Sequence, residues 1–189
     1  MWYRAGNYPN LDKRLQSFGS NVVITSLAME PKYDTYGISW IESSKFSGFE
    51  YRMQVVPPSA IQATAALDGA NGRVVTAVSF GAQGNAHLIS YGWQGDQTTY
   101  DVKTMTVASG NILSAAKQLG ADGYIISAFG GDNASGWVLV GMHAMGYSQP
   151  RSMYTKSISN ATLPPDTAYF TPVVWFSSPA TSFIGIDEQ

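Results

Sequence analysis

A sequence pattern that recurs every 51 residues limits the folds open to this chain more than any other feature. Three short apolar segments, 21–26, 72–77 and 123–128, align at this spacing without gaps. A second set aligns in the same register, and it consists of Ile38-Ser39-Trp40, Ile89-Ser90-Tyr91 and Val140-Gly141-Met142. Segments 49–52 and 100–103 also match, each with an aromatic, an acidic, an apolar and a basic residue in that order. Agreement at several places in one register indicates internal duplication.

Each copy carries the signals of a strand, a helix and two further strands. The first strand ends near Pro9, Pro57 or Ser109. Polar residues that can cap a helix N-terminus follow, and they are Asn10, Ser59 and Asn111. Apolar residues then recur at helical spacing. A glycine that can adopt the left-handed conformation is predicted to end each helix, at Gly19, Gly69 and Gly120. Turn-forming residues at 31–34, 81–85 and 130–136 predict that the last two strands are antiparallel.

The pattern predicts an α+β fold with antiparallel sheets. We expect one domain over residues 1–189, made of three tandem repeats at about 1–47, 48–98 and 99–148 around a pseudo-threefold axis. Residues 149–189 lie outside the three copies as a C-terminal extension. Strands are predicted there at 153–158 and 169–176, and we expect one of them to complete the sheet of the first copy or to cover an open edge, since open edges invite aggregation.

The last strand of each copy has one bulky face and one small face. Tyr36, Ile38 and Trp40 share the bulky face in the first copy, and residues 87–93 and 138–142 alternate in the same way. We expect this face to pack on the helices. The hydroxyls of Thr25 and Ser39, and those of Thr76 and Ser90, should lie across from each other. Such pairs indicate either a close contact between sheets or ordinary cross-strand hydroxyl pairing.

Composition excludes several classes of function. Only 13% of residues are charged and the formal net charge is −2, without the basic stripe that nucleic-acid binding requires. The apolar runs are far shorter than a membrane span. Cysteine is absent, which removes disulfides and thiol catalysis. A surface rich in Gly, Ser, Thr, Asn and Tyr favours an extracellular or virion-associated protein over a cytoplasmic one.

The sequence offers no catalytic residue, and we predict no cofactor and no metal. The two histidines, His87 and His143, occupy different repeat positions and opposite strand faces. Residues 132–136 resemble part of a calcium loop but lack the glutamate that completes one, so a turn explains them. A hydrolase with its site in one repeat remains the alternative function, and His87 is the feature that would support it.

Aromatic residues are the remaining lead to function. The chain has five Trp and eleven Tyr, and aromatic rings stack on sugars and anchor protein interfaces. Trp40, Tyr91 and Met142 are expected in the core. Trp93 and Trp137 lie beside glycines near hairpin ends, so they are the predicted binding residues. We therefore expect a non-enzymatic binding or assembly module for a glycan or a protein. The sequence is also compatible with a homo-oligomer.

Overall fold

The computed structural model describes residues 2–30, 35–81, 83–159, 170–177 and 180–188. Twelve strands and three α-helices lie within these residues. They are β1 (Trp2–Asn7), α1 (Leu11–Gln16), β2 (Val22–Glu30), β3 (Thr35–Glu42), β4 (Phe49–Val56), α2 (Ile61–Ala70), β5 (Arg73–Phe80), β6 (Ala86–Trp93), β7 (Tyr100–Val107), α3 (Ile112–Ala121), β8 (Ile125–Asp132), β9 (Gly136–Ala144), β10 (Met153–Ser159), β11 (Phe170–Ser177) and β12 (Ala180–Glu188).

The strands form small antiparallel sheets of three strands each. Their orders are β1-β3-β2, β4-β6-β5, β7-β9-β8 and β10-β12-β11, and we call them the first to fourth sheets. In every sheet the last strand of the sequence lies in the middle, between the other two. The α+β class with antiparallel sheets is therefore confirmed.

The C-terminal strands differ from the prediction. The sequence indicated two strands, one of which would complete the first sheet or cover an open edge, whereas the structure shows three that pair with one another as the fourth sheet. The strand missed was β12, which lies in the middle of that sheet. Strand β11 nevertheless contacts β2, the edge of the first sheet, so this edge does not stand open.

A β-bulge interrupts the same strand in each of the first three sheets. The registers shift at Thr25, Thr76 and Ser127, which are 51 residues apart. The residues just before the bulges, Ile24 and its counterparts Val75 and Ile126, are all buried. Bulges bend a strand and increase its twist, so β2, β5 and β8 curve at equivalent points.

Two of the three predicted N-cap positions, Asn10 and Asn111, are confirmed, although neither side chain makes a capping bond. Each helix follows a short 3₁₀ turn. The N-cap of α2 is Ala60 instead of the predicted Ser59, which lies within the 3₁₀ turn. The turns place backbone acceptors close by, since the nitrogens of Ala60 and Asn111 each lie 2.9 Å from a carbonyl oxygen three residues earlier. The longest described helices have ten residues, and no described helix is long and apolar enough to cross a membrane.

The predicted helix-ending glycines have another role. Gly69 and Gly120 lie inside α2 and α3, and the left-handed conformation occurs three residues later, at Gly72 (φ 71°) and Gly123 (φ 90°). A Cβ at Gly69 would lie 2.7 Å from the carbonyl oxygen of Tyr100. A Cβ at Gly120 would lie 2.6 Å from the carbonyl oxygen of Arg151. These two glycines therefore allow a helix to approach the backbone of the segment that begins the next sheet.

Every helix belongs to a core shared by two consecutive sheets. Leu11 and Leu15 of α1 pack in one cluster with Ile89 and Tyr91 of the second sheet. We call the boundary between two consecutive sheets a seam. At the second seam, Ile61 and Ala65 of α2 pack in one cluster with Val140 of the third sheet. At the third seam, Ile112 and Leu119 of α3 pack in one cluster with Met153 of the fourth sheet. The bulky strand faces thus do pack with helices, as predicted. For the second and third sheets, however, the helix is the one that precedes the sheet, a pairing that the sequence pattern did not indicate.

The strands β2, β5, β8 and β11 come together inside the molecule. Strand β5 contacts both β2 and β8, and β11 contacts β2 and β8. Each is an edge strand of its own sheet, so part of its backbone lacks a strand partner. Side chains of the second sheet supply hydrogen-bond acceptors to β2. The backbone nitrogen of Ile24 donates to Tyr91 Oη at 3.1 Å, and that of Met29 donates to Ser79 Oγ at 3.0 Å. A side-chain acceptor keeps a buried edge N–H satisfied.

Replacing Leu119 by Ala should lower the free energy of unfolding by about 2–5 kcal/mol, because this fully buried side chain would leave a cavity in the core at the third seam. Leu113 lies in the same helix but is 38% exposed, so Leu113→Ala should change stability by no more than about 0.5 kcal/mol. Chemical denaturation measures both. Equal losses from the two variants would contradict the orientation of α3.

Replacing Gly69 by Ala should destabilise the protein by about 1–3 kcal/mol, the usual cost of overpacking, although the same change in an open helix stabilises. The added methyl group would meet backbone of β7, which has no room to retreat. Gly110→Ala is the control, since nothing lies within 4 Å of a Cβ there, and it should leave stability unchanged or raise it by up to about 1 kcal/mol. A Gly69→Ala protein more stable than wild type in denaturant titrations would refute the close approach.

Candidate aromatic cleft between the first and second sheets

An aromatic cleft of about 250 Å³ opens at the seam between the first two sheets. Its lining includes four aromatic rings, three other side chains and a carboxylate: Phe49, Tyr91, Trp93, Tyr100, Val23, Val74, Thr76 and Asp96. We call it the Trp93 cleft. Phe49 and Trp93 are opposite each other in the β4–β6 pairing, as are Tyr51 and Tyr91, so these rings share one face of the second sheet.

Trp93 is held firmly although it is 46% exposed. Its Nε1 donates to the carbonyl oxygen of Ser47 at 3.0 Å. The ring of Phe46 meets it edge-on at 5.7 Å between centroids, and that of Phe49 lies 6.0 Å away. Two bonds anchor the neighbouring backbone, from the nitrogen of Phe49 to Ser20 O and from that of Gln94 to Gly48 O, both 2.8 Å. A ligand would therefore meet a Trp93 ring that is already oriented.

Asp96 gives the cleft a negative charge. Its Oδ1 accepts hydrogen bonds from the backbone nitrogen of Thr98 at 3.0 Å and from Thr98 Oγ1 at 2.7 Å. These bonds, the backbone one above all, lower the pKa of the carboxyl group, so it is ionised at neutral pH. Burial raises the pKa of nearby Tyr100, and the charge of Asp96 raises it further.

A second cleft of about 310 Å³ lies next to the first. Phe49 and Tyr91 line both clefts, and Leu15, Phe18 and Tyr51 line only the second, which we call the Tyr51 cleft. Burial, and then the charge of Asp12, raise the pKa of Tyr51. Phe49 and Tyr91 therefore form a wall that the two clefts share.

Helix α1 is shorter than the other two helices. It has six residues, whereas α2 and α3 have ten. At the next seam, Gly69 in the last turn of α2 lies against the backbone of Tyr100. The residue 51 positions before Tyr100 is Phe49, which lines both clefts. Phe49 thus lines both clefts, whereas the backbone of Tyr100 lies against a helix.

Tyr91 forms the floor between the two clefts. Its side chain is buried, and its hydroxyl accepts the hydrogen bond from Ile24 described above. Burial raises its pKa to about 12. Tyr91 thus belongs to the core that joins the first two sheets and also lines the site. Met142 is buried as predicted, whereas Trp40 is half-buried, 5.0 Å from the ring of Phe18.

The predicted exposure of Trp137 is wrong. Only 2% of this residue is exposed, its ring stacks on Phe129 at 5.1 Å, and its Nε1 lies 3.3 Å from Asn133 Oδ1. The adjacent Gly136 has a φ of 89° and serves the hairpin turn rather than opening a path for a ligand. Trp137 therefore offers no ring face to a ligand. The binding role of Trp93 stays a prediction.

The histidines lie apart from the cleft lining. His87 is buried, and burial lowers its pKa. His143 Nε2 lies 3.5 Å from Asp101 Oδ2, and its ring is 4.6 Å from that of Tyr124. Tyr124 also donates to Asp101 Oδ2 at 2.9 Å. Within the described residues, no three side chains of His, Cys, Asp or Glu come together as a metal would require.

A buried polar network in the second sheet was missed by sequence reasoning. Arg73 donates to Ser90 Oγ at 3.2 Å, Ser90 O at 2.9 Å and Glu50 O at 2.7 Å, and burial lowers its pKa. Asp68 is fully buried and pairs with Arg52 at 3.2 Å. The residues 51 positions after Asp68, Arg73 and Ser90 are Leu119, Tyr124 and Gly141. The alignment at 51 residues thus held the signal, because Asp68 and Arg73 stand where the third copy has the uncharged Leu119 and Tyr124.

No protein-family model matches the chain, and no curated protein is significantly similar to it. The assignment of function therefore rests on the geometry of the molecule itself.

Replacing Tyr91 by Phe should lower the free energy of unfolding by about 1–3 kcal/mol at pH 8, because the N–H of Ile24 would lose its acceptor. The folded-state pKa is above the ordinary value of 10, so this tyrosine's contribution is complete below pH 10 and is lost as the pH rises towards 12. The difference in the free energy of unfolding between variant and wild type should therefore decrease between pH 10 and pH 12. Denaturation at several pH values measures it, with Tyr147→Phe as an exposed control. A gap that widens above pH 10 would be inconsistent with this role.

Proposed function

We propose that this protein is a non-enzymatic binding module that recognises a glycan through the Trp93 cleft. The observation that carries the proposal is a nearly half-exposed tryptophan, fixed by one hydrogen bond and two ring contacts, at a cleft with three more aromatic rings. Aromatic rings present an apolar face to the C–H groups of a sugar, while Tyr and Trp keep a polar edge. Binding sites of small molecules are typically apolar clefts with a few placed polar groups.

Polar groups for sugar hydroxyls are present beside the rings. Asp96 supplies carboxylate oxygens to the lining. Asp96 can accept hydrogen bonds from sugar hydroxyls, and Thr76, at the bulge of β5, also lines the cleft.

The proposed site occurs once among the described residues. The residues 51 positions after Trp93 and Asp96 are Ala144 and Tyr147, so the matching place at the next seam lacks both the indole and the carboxylate. We therefore propose one ligand site per chain rather than repeated sites that act by avidity.

The scaffold in this proposal is a tandem repeat. Its support is the shared strand order of the four sheets and the three bulges spaced by 51 residues. The sequence suggested a threefold arrangement. Because β11 contacts both β2 and β8, we propose instead four related units around a common centre, with the C-terminal strands as the fourth.

A protein partner is the second candidate, and one observation favours it. Phe46 is exposed next to Trp93 and is absent from the cleft lining, so the two rings form an apolar ridge that a flat protein surface could cover. The hydrolase alternative has less support, because the histidine that would distinguish the second copy is buried.

Replacing Trp93 by Ala should weaken glycan binding by at least about tenfold, as for a central aromatic anchor, while the protein stays folded. A glycan array selects the ligand and calorimetry gives the affinity. Tyr147→Ala is the matched control, since Tyr147 is 60% exposed at the equivalent position of the next copy and should not affect binding. Unchanged affinity in Trp93→Ala, or a wild-type protein that binds no glycan on the array, would contradict the proposal.

A further inference from the structure

We infer that the Trp93 cleft selects a glycan that carries free amino groups, and so a positive charge, over neutral or anionic glycans. The inference rests on the proposed glycan-binding function and specifies the class of sugar. Three observations support it: the charge of the cleft, its aromatic rings, and the cations that lie over other aromatic rings of this chain.

The first step concerns charge. Among the described residues, salt bridges join Arg52 with Asp68 and Lys103 with Asp122, Asp101 lies beside His143, and none of these contacts includes Asp96. Asp96 is the one carboxylic acid among the residues that line the cleft, and no lysine or arginine lines it. An anionic sugar would bring a like charge next to this carboxylate, whereas an ammonium group could form a charge-assisted hydrogen bond with it.

The second step concerns the aromatic rings. The faces of Trp, Tyr and Phe rings attract cations, and the attraction is larger where water is excluded. The cleft brings four such rings around one small volume. A carboxylate with several rings suits an ammonium group better than it suits a neutral hydroxyl.

The third step is a comparison within the chain. In the first unit, the guanidinium carbon of Arg14 lies 4.6 Å from the centroid of Phe18 and 5.6 Å from that of Trp40. In the third, Lys103 Nζ lies 6.0 Å from the ring of Tyr124. No cation of the described residues lies over the rings of the Trp93 cleft. This fold thus supplies its own cation at two aromatic clusters, and at the Trp93 cleft that place is available to a ligand.

The test uses tetrasaccharides of one linkage that differ in charge: β-1,4-linked glucosamine, its N-acetylated form and glucose. Calorimetry on the wild-type protein should show the glucosamine tetramer binding about tenfold more tightly than either neutral tetramer. The preference should shrink between low and high salt, because charge interactions at an open cleft are screened. Asp96→Asn should reduce the affinity ratio towards one. Asp122→Asn, which removes an exposed carboxylate outside the cleft, should keep the ratio.

The outcomes separate this inference from the proposed function. Equal affinity for charged and neutral tetramers, or a preference insensitive to salt, would overturn the inference and leave glycan binding in place. Tetramethylammonium binding as tightly as the glucosamine tetramer would overturn it too, because the sugar would then contribute nothing. A wild-type protein that binds none of the tetramers and no glycan on the array would refute the proposed function itself. The wild-type measurements decide the matter even if Asp96→Asn fails to fold.

Discussion

The shared apolar core at each seam is the interaction on which the rest of this structure depends. A three-stranded sheet with one short helix buries little apolar surface by itself, because small units bury a smaller share of their surface than large ones do. Here each helix packs with its own sheet and with the next one, so that Leu119, for example, lies in one cluster with Met153 of the fourth sheet. Burial is therefore completed only when consecutive sheets are in place. Gly69 and Gly120 follow from this constraint, because the helix must reach the backbone of the next segment.

The meeting of the inner edge strands is the second consequence. Strands β2, β5, β8 and β11 each leave one side without a strand partner, and buried N–H groups need acceptors. Tyr91 and Ser79 supply them to β2 from the second sheet. Tyr91 thereby links three features of the molecule: the bonding of an edge strand, the core of the first seam and the floor of the cleft. A change at Tyr91 would therefore disturb all three features at once.

The candidate site lies in the sheet whose sequence departs from the third copy at two charged positions. Asp68 and Arg73 stand where the third copy has Leu119 and Tyr124, whereas Ser90 matches Ser39 of the first copy. Arg73 donates to carbonyls of both β4 and β6, the strands that carry Phe49 and Trp93, and so helps to fix their spacing. The departures from the repeat and the aromatic cleft thus occur in the same sheet.

The sequence by itself determined the order of strands and helices in the first three copies and the matching places of Ile24, Val75 and Ile126. Periodicity depends on residues close along the chain, so it can be read locally. The turn predicted at 31–34 lies outside the described residues. Tertiary structure alone decided which sheet each helix joins, that the C-terminal strands form a sheet of their own, and that Trp93 is exposed while Trp137 is buried. The exposure of a ring at a hairpin end depends on what packs over it. Phe129 stacks on Trp137, whereas Trp93, with Phe46 and Phe49 beside it, stays 46% exposed, and neither outcome is contained in the local pattern.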